Sequence, residues 1–199
     1  MLELYTWKTP NGRKVPILLA ELGWPCTVHL VNLGENEQKS PAFLAKNPNG
    51  KIPALVDDEI TVFESGAILE YLADKAGRFL PTDRRARAEV LSWSYWQVGG
   101  PGPMFGQLGA FGRETPRNER AFQKFHAEAK RLAGVLDGRL QGREWIAGEY
   151  SIADMINYPW FDALAGFQAD ALDGADAVKG WMTRMGERPA VKKGMALEV

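Results

Sequence analysis

The chain has 199 residues, 45% hydrophobic and 25% charged, with a net charge of −1. That length holds one large domain or two modest ones, and the charge argues against nucleic acid or an anionic membrane as a partner. A single cysteine, Cys26, and two histidines, His29 and His126, exclude an intramolecular disulfide and a multi-cysteine metal site, and argue against any metal centre. With no apolar run of bilayer length and no basic segment ahead of an apolar one at the N-terminus, the expectation is a soluble cytoplasmic protein.

"LELYTW" (2–7) alternates with period two and predicts a strand. "TPNGRKV" (9–15) reads as a turn opening into a helix near Arg13, "VPILLAELG", which ends at Gly23. "TVHLVNL" (27–33) alternates again, and "PALVD" and "TVFES" predict two more strands joined by an acidic turn at Asp57, Asp58 and Glu59. "SGAILEYLADKAG" (65–77) is an amphipathic helix with Ser65 near its N-cap. A helix between two strands implies a parallel pair, and two close strands imply a hairpin. Residues 1–76 therefore have the layout of a thioredoxin-like α/β domain.

"GRFLPTD" gives a linker at 77–83. Beyond it the strand signal ends. "RARAEVLSWSYWQVGG" is helical and stops in the Gly/Pro-rich "GGPGPMFGQLGAFG" (99–112), and the aromatic residues Trp93, Tyr95 and Trp96 before that break are either core or the wall of an apolar pocket. Phe122, Phe125, Ala129, Leu132, Leu136 and Leu140 recur at helical spacing, and "SIADMINYPWFDALAGF" and "DAVKGWMTRMGERP" are two further helices. Residues 84–199 thus form an all-helical domain. Ser151 and Asp154 make a capping-box pattern, a folding element. His29 and His126 read as structural or surface residues, and Cys26 as a small core residue.

Two helix starts could carry chemistry. Thr9 and Asn11 flank Pro10, with Gly12 allowing a sharp turn; they either cap the helix or help its N-terminus hold an anion such as a thiolate. No cysteine lies at this turn, so a ligand would have to bring the thiol. At "FESGAILEYL", Ser65 is either a plain N-cap or a donor to a carboxylate, with Glu64 placed for an ammonium. A fragment with both groups is an amino-acid terminus.

Across essentially the whole chain these motifs resemble the glutathione transferase superfamily. Within it, "TPNGRKVPILLAELG", "NPNGKIPALVD", "FESGAILEYLA", "WQVGGPGPMFGQ" and "YSIAD" are similar to the bacterial nu class, near the disulfide-bond reductases. The resemblance implies a thioredoxin-like domain followed by a helical one, as a homodimer. It implies glutathione as co-substrate, as one molecule, two, or the disulfide. Thr9 and Asn11 would contact its sulfur, the Ile52 backbone, ahead of a cis Pro53, its cysteinyl unit, and Glu64 and Ser65 its γ-glutamyl end, with Lys51 also among the binding residues. Gln38 would reach the glycyl end or a second glutathione, and Lys124 stands where relatives carry an arginine. Tyr5, on the strand before the turn, is not the tyrosine that activates glutathione in other classes. The implied activity is disulfide reduction or conjugation to an electrophile. The alternative is a non-catalytic module of this fold that binds a protein partner.

Overall fold

Strand β1 (Leu2–Thr6) buries Leu2, Leu4 and Thr6 on one face. In the computed structural model, which describes residues 1–198, it is a central strand of a four-stranded sheet ordered β2-β1-β3-β4. β2 (Cys26–Leu30) pairs parallel to it, and β3 (Ala54–Asp57) and β4 (Ile60–Phe63) add antiparallel. β2 stops at Leu30, short of the expected 33, because Leu33–Glu35 and Glu37–Lys39 turn into short 3-10 segments before helix α2 (Pro41–Leu44).

Helix α1 (Pro10–Leu22) starts three residues earlier than expected, with Thr9 as N-cap, Pro10 in its first turn and Gly23 in the left-handed conformation at its end. Pro16 lies inside it and cannot donate to the Gly12 carbonyl one turn back. The buried Thr6 hydroxyl donates to that oxygen instead, at 2.8 Å. Gly12 serves close approach and not a special turn: a Cβ there would stand 2.0 Å from the Trp7 carbonyl oxygen. Helix α3 (Ser65–Ala76) packs against α1 and is moored to β3 through Asp57, which accepts from Tyr71 Oη at 2.7 Å and pairs with Lys75. On the other sheet face, Phe43 of α2 clusters with Val31, Ala54, Tyr5 and Ile52.

The chain divides into two compact units at Leu80–Pro81, inside the expected linker. The sequence places the C-terminal segment in the helical domain, yet residues from Glu187 on belong to the first unit. There α9 (Pro189–Ala196) packs along α1, with Gly194 so close to Ile17 that a Cβ would meet its backbone at 2.4 Å, and Arg188 grips Glu21 through two bonds of 2.7 and 3.0 Å.

The second unit, Pro81–Gly186, contains α4 (Arg84–Gly99), α5 (Pro101–Gly112), α6 (Glu119–Leu140), α7 (Ile152–Phe167) and α8 (Asp176–Glu187). The Gly/Pro-rich stretch, expected to be a break, is α5. Pro101 and Pro103 fall in its first turn, where a missing N–H costs nothing, and Gly102, Gly106, Gly109 and Gly112 admit Gln97, Trp160, Phe167 and Phe122 to within 3.0–3.6 Å of where a Cβ would be. Trp93, Tyr95 and Trp96 are not fully buried as a core would require: both tryptophans are half-buried, packed edge to face at 5.1 Å, and Tyr95 is 58% exposed. The capping box forms at the start of α7, and Asp154 lies at its centre. It accepts from the backbone N–H of Ile146 and Ser151 and from Trp181 Nε1, all within 3.1 Å. Burial raises its carboxyl to about 6, against the pull of those donors.

Two stability predictions follow from these buried polar contacts. Thr6→Val keeps the shape but strands the Gly12 carbonyl, so urea unfolding should show a loss of about 1–3 kcal/mol. Asp154→Ala strands three donors at once and should cost about 3 kcal/mol or more in the same measurement.

Candidate functional site

The sheet register gathers the two helix starts. Tyr5 lies opposite Ala54, and Ala54 opposite Phe63. The chain therefore leaves β1 toward α1, enters β3 from the Lys51–Pro53 loop and leaves β4 toward α3, all at one end of the sheet. Thr9, Asn11, Lys51, Ile52, Pro53, Glu64 and Ser65 belong to these three crossings.

At the first, Thr9 Oγ1 accepts from the Gly12 N–H at 3.2 Å and caps α1; its own hydroxyl hydrogen is still available to a ligand. Asn11 sits in the first turn, half-buried. At the second, the Ile52–Pro53 bond is cis. The loop is braced by Asn47, a buried residue that the sequence reading passes over: its amide donates to the Lys51 carbonyl at 2.6 Å and accepts from the Asn49 N–H at 3.0 Å. The signal for it was "NPNG", an Asn ahead of a turn. Gly50, at φ +62, lies where a Cβ would come 3.1 Å from the Gln38 carbonyl oxygen. Gln38 thus adjoins this loop, and its side-chain Oε1 is buried with no hydrogen-bond partner.

At the third crossing Ser65 is not the N-cap. Glu64 holds that position at φ +71, a conformation rare for a side-chain-bearing residue, and makes no side-chain capping bond. Ser65 is the first helical residue and is buried. The opening N–H groups of α3 therefore have no side-chain cap, and the Ser65 hydroxyl faces another group: Lys14 Nζ, 3.3 Å away. Lys14 is 1% exposed, and burial brings its ammonium down from 10.5 to about 7, with Glu64 pulling the other way. The sequence reading also missed this residue; its trace was a lysine inside the apolar run of α1.

Four other candidates lie outside these three crossings of the chain. Lys124 is an exposed residue of α6 in the second unit, its Nζ 5.8 Å from the Phe125 ring. Tyr5 donates to Glu3 at 2.8 Å and stacks on His29 at 4.5 Å; burial, then the Glu3 contact, pushes its hydroxyl above the ordinary value. His126 pairs with Asp170 at 3.0 Å. Cys26 is half-buried, not a full core residue, and burial pushes its thiol up to about 11, which leaves almost no thiolate at neutral pH. Among the described residues there is no group of acidic, histidine and cysteine side chains that could hold a metal ion, and no helix is long and apolar enough to cross a membrane.

The family model for the glutathione S-transferase N-terminal domain matches residues 1–74, and that for the C-terminal domain matches residues 103–189. The disulfide-bond oxidoreductase YfcG of Escherichia coli is 43% identical, across 96% of this chain and 92% of its own. The disulfide-bond oxidoreductase YghU of the same organism is 44% identical, across 97% of this chain and 73% of its own. A solved glutathione transferase from Pseudomonas putida, with one glutathione disulfide bound per subunit, superposes with a TM-score of 0.95 at 41% identity, over all of this chain and 92% of that one. A transferase family member from Pseudomonas fluorescens, with two glutathione bound, gives 0.93 at 43%, over 98% and 92%.

The buried lysine carries a pH signature. Its folded pKa is depressed, so above pH 7 the unfolded chain binds the proton that the folded chain has shed, and stability rises with pH until about 10.5. Lys14→Met removes this term. Paired urea titrations should show the wild type gaining on the variant by up to about 1.4 kcal/mol per pH unit across that window.

Proposed function

The chain belongs to the glutathione S-transferase family, and we propose that it binds glutathione as the thiolate at the start of α1 and uses that thiolate to reduce disulfides. The observation that carries this reading is the mismatch between the helix start and the protein's own sulfur. The N-terminus of α1 opens at the end of the sheet where the three crossings meet, with no cysteine, while burial pushes the single thiol, Cys26, up to about 11. A helix N-terminus is worth about 0.3–2 kcal/mol to an anion, and a hydrogen bond to a charged group about 1.5–3 kcal/mol. Since each pKa unit is about 1.4 kcal/mol, Thr9 and Asn11 with the first turn lower a ligand thiol by one or two units, enough for thiolate at neutral pH.

Thr9 and Asn11 donate to the sulfur. The backbone at Lys51 and Ile52, ahead of Pro53, pairs with the cysteinyl unit. Glu64 meets the γ-glutamyl ammonium, Ser65 and the uncapped N–H groups of α3 its carboxylate, and Gln38 the glycyl end. The bound thiolate attacks one sulfur of a disulfide, forming a mixed disulfide and expelling the other sulfur as thiolate. A second glutathione thiolate then attacks the glutathione sulfur of the mixed species, releasing the remaining thiolate and leaving glutathione disulfide. Two thiols supply the two electrons, and no protein cysteine takes part. Two relatives with bound ligand support this stoichiometry, one holding two glutathione and the other the disulfide. The same thiolate serves conjugation to electrophiles. Family membership supports a homodimer, which sedimentation equilibrium would report, and residence in the cytoplasm, where glutathione is plentiful.

Steady-state reduction of a small model disulfide by glutathione tests the assignment. Thr9→Ala and Asn11→Ala should each lower kcat/KM about tenfold or more, the worth of one charge-assisted hydrogen bond, whereas Cys26→Ala should leave it unchanged. Loss of activity in Cys26→Ala alone, or failure of the wild type to bind glutathione or its disulfide, would overturn it.

A further inference from the structure

A lysine at 1% exposure needs a reason, because burying an ammonium is costly and a methionine of similar length would fill the same space. Lys14 lies on the face of α1 that turns toward α3, and its Nζ is 3.3 Å from Ser65 Oγ. Among the elements packed on α1 within this unit are α3 and α9. From α3 the groups at Nζ are Ser65 and the charge of Glu64. At the start of α9 and along it the charged side chains are Arg188, the N-cap, held by Glu21, and Lys192 and Lys193, which are exposed.

A serine hydroxyl has one hydrogen to give and two lone pairs to receive. With Nζ donating to one lone pair, the Ser65 hydrogen is turned away from Lys14. The uncapped N–H groups of the same helix turn lie beside it. We propose that Lys14 is a positioning residue for the ligand's α-carboxylate: it aims the Ser65 hydroxyl outward and supplies, from inside the protein, the positive charge that an arriving carboxylate balances. This deepens the glutathione reading and rests on it. The carboxylate's arrival stabilises the charged form of Lys14, whose ammonium burial brings down to about 7 in the free protein. Binding therefore draws a proton from solution.

S-methylglutathione is the probe, since it has no thiol to titrate, and its counterpart lacking the γ-glutamyl α-carboxylate is the control. Calorimetric titrations at about pH 8, in two buffers of different ionisation enthalpy, count the protons that binding takes up. The wild type should take up a substantial fraction of a proton with S-methylglutathione and none with the control. Lys14→Met should abolish that uptake, weaken S-methylglutathione about tenfold and leave the affinity of the control unchanged. Equal weakening of both ligands, or uptake that survives in Lys14→Met, would show that Lys14 only supports the fold. Should the variant not fold, the wild-type counts decide alone: equal uptake with both ligands overturns the proposal. A wild type that binds neither probe overturns the glutathione reading itself, a result distinct from either of these.

Discussion

The register across β1, β3 and β4 is the constraint on which the site depends. Side chains on a strand alternate in direction, so a slip of one residue would turn every one of them over and also displace the strand ends. Here Tyr5, Ala54 and Phe63 form one row. From that row the chain leaves for two helices and arrives from one loop, and so brings together two N-termini that are 55 residues apart in sequence (Pro10 to Ser65). Asp57 at the opposite end of β3, with Tyr71 and Lys75, fixes the tilt of α3 over the sheet. The end of the sheet where the three crossings meet is thus held by contacts at its far end.

The first turn of α1 is unusually committed. Gly12 lies against the Trp7 carbonyl, Thr6 satisfies the oxygen that Pro16 cannot, and Thr9 closes the cap. None of these contacts involves a sulfur ligand, yet all of them fix the geometry of the helix start. Pre-organisation of that kind is what electrostatic stabilisation of an anion requires, because dipoles already in place need no reorganisation when charge arrives. The start of α3 is organised differently. Its cap residue is strained and gives no side-chain bond, and its serine is turned over to a buried lysine.

Periodicity made the strands, the long helices and the two-part organisation legible in the sequence, and the pairing of turn residues with helix starts pointed to Thr9, Asn11, Glu64 and Ser65. What it could not show depended on contacts between distant residues. The glycines and prolines of 101–112 read as a break because local propensity is blind to Trp160, Phe167 and Phe122, the bulky partners that those glycines admit. Ser65 looked like a cap because Lys14 is 51 residues away. A lysine in an apolar run is ordinarily one that snorkels to water, so nothing local marked Lys14 as buried. The C-terminal segment read as one more helix of the second unit, since helical spacing does not reveal which surface a helix will cover.

The return of that segment to the first unit bears on how the chain is made. Synthesis delivers residues 1–80 well before Glu187 and the helix after it. Throughout the translation of Pro81–Gly186, the side of α1 around Ile17 has no α9 to lie on it, and Glu21 has no Arg188. The thioredoxin-like unit can consequently be completed only after the segment from Glu187 on has been made. Until then the backbone of Ile17 lacks the close cover of Gly194, so this unit closes only across the whole of the second one.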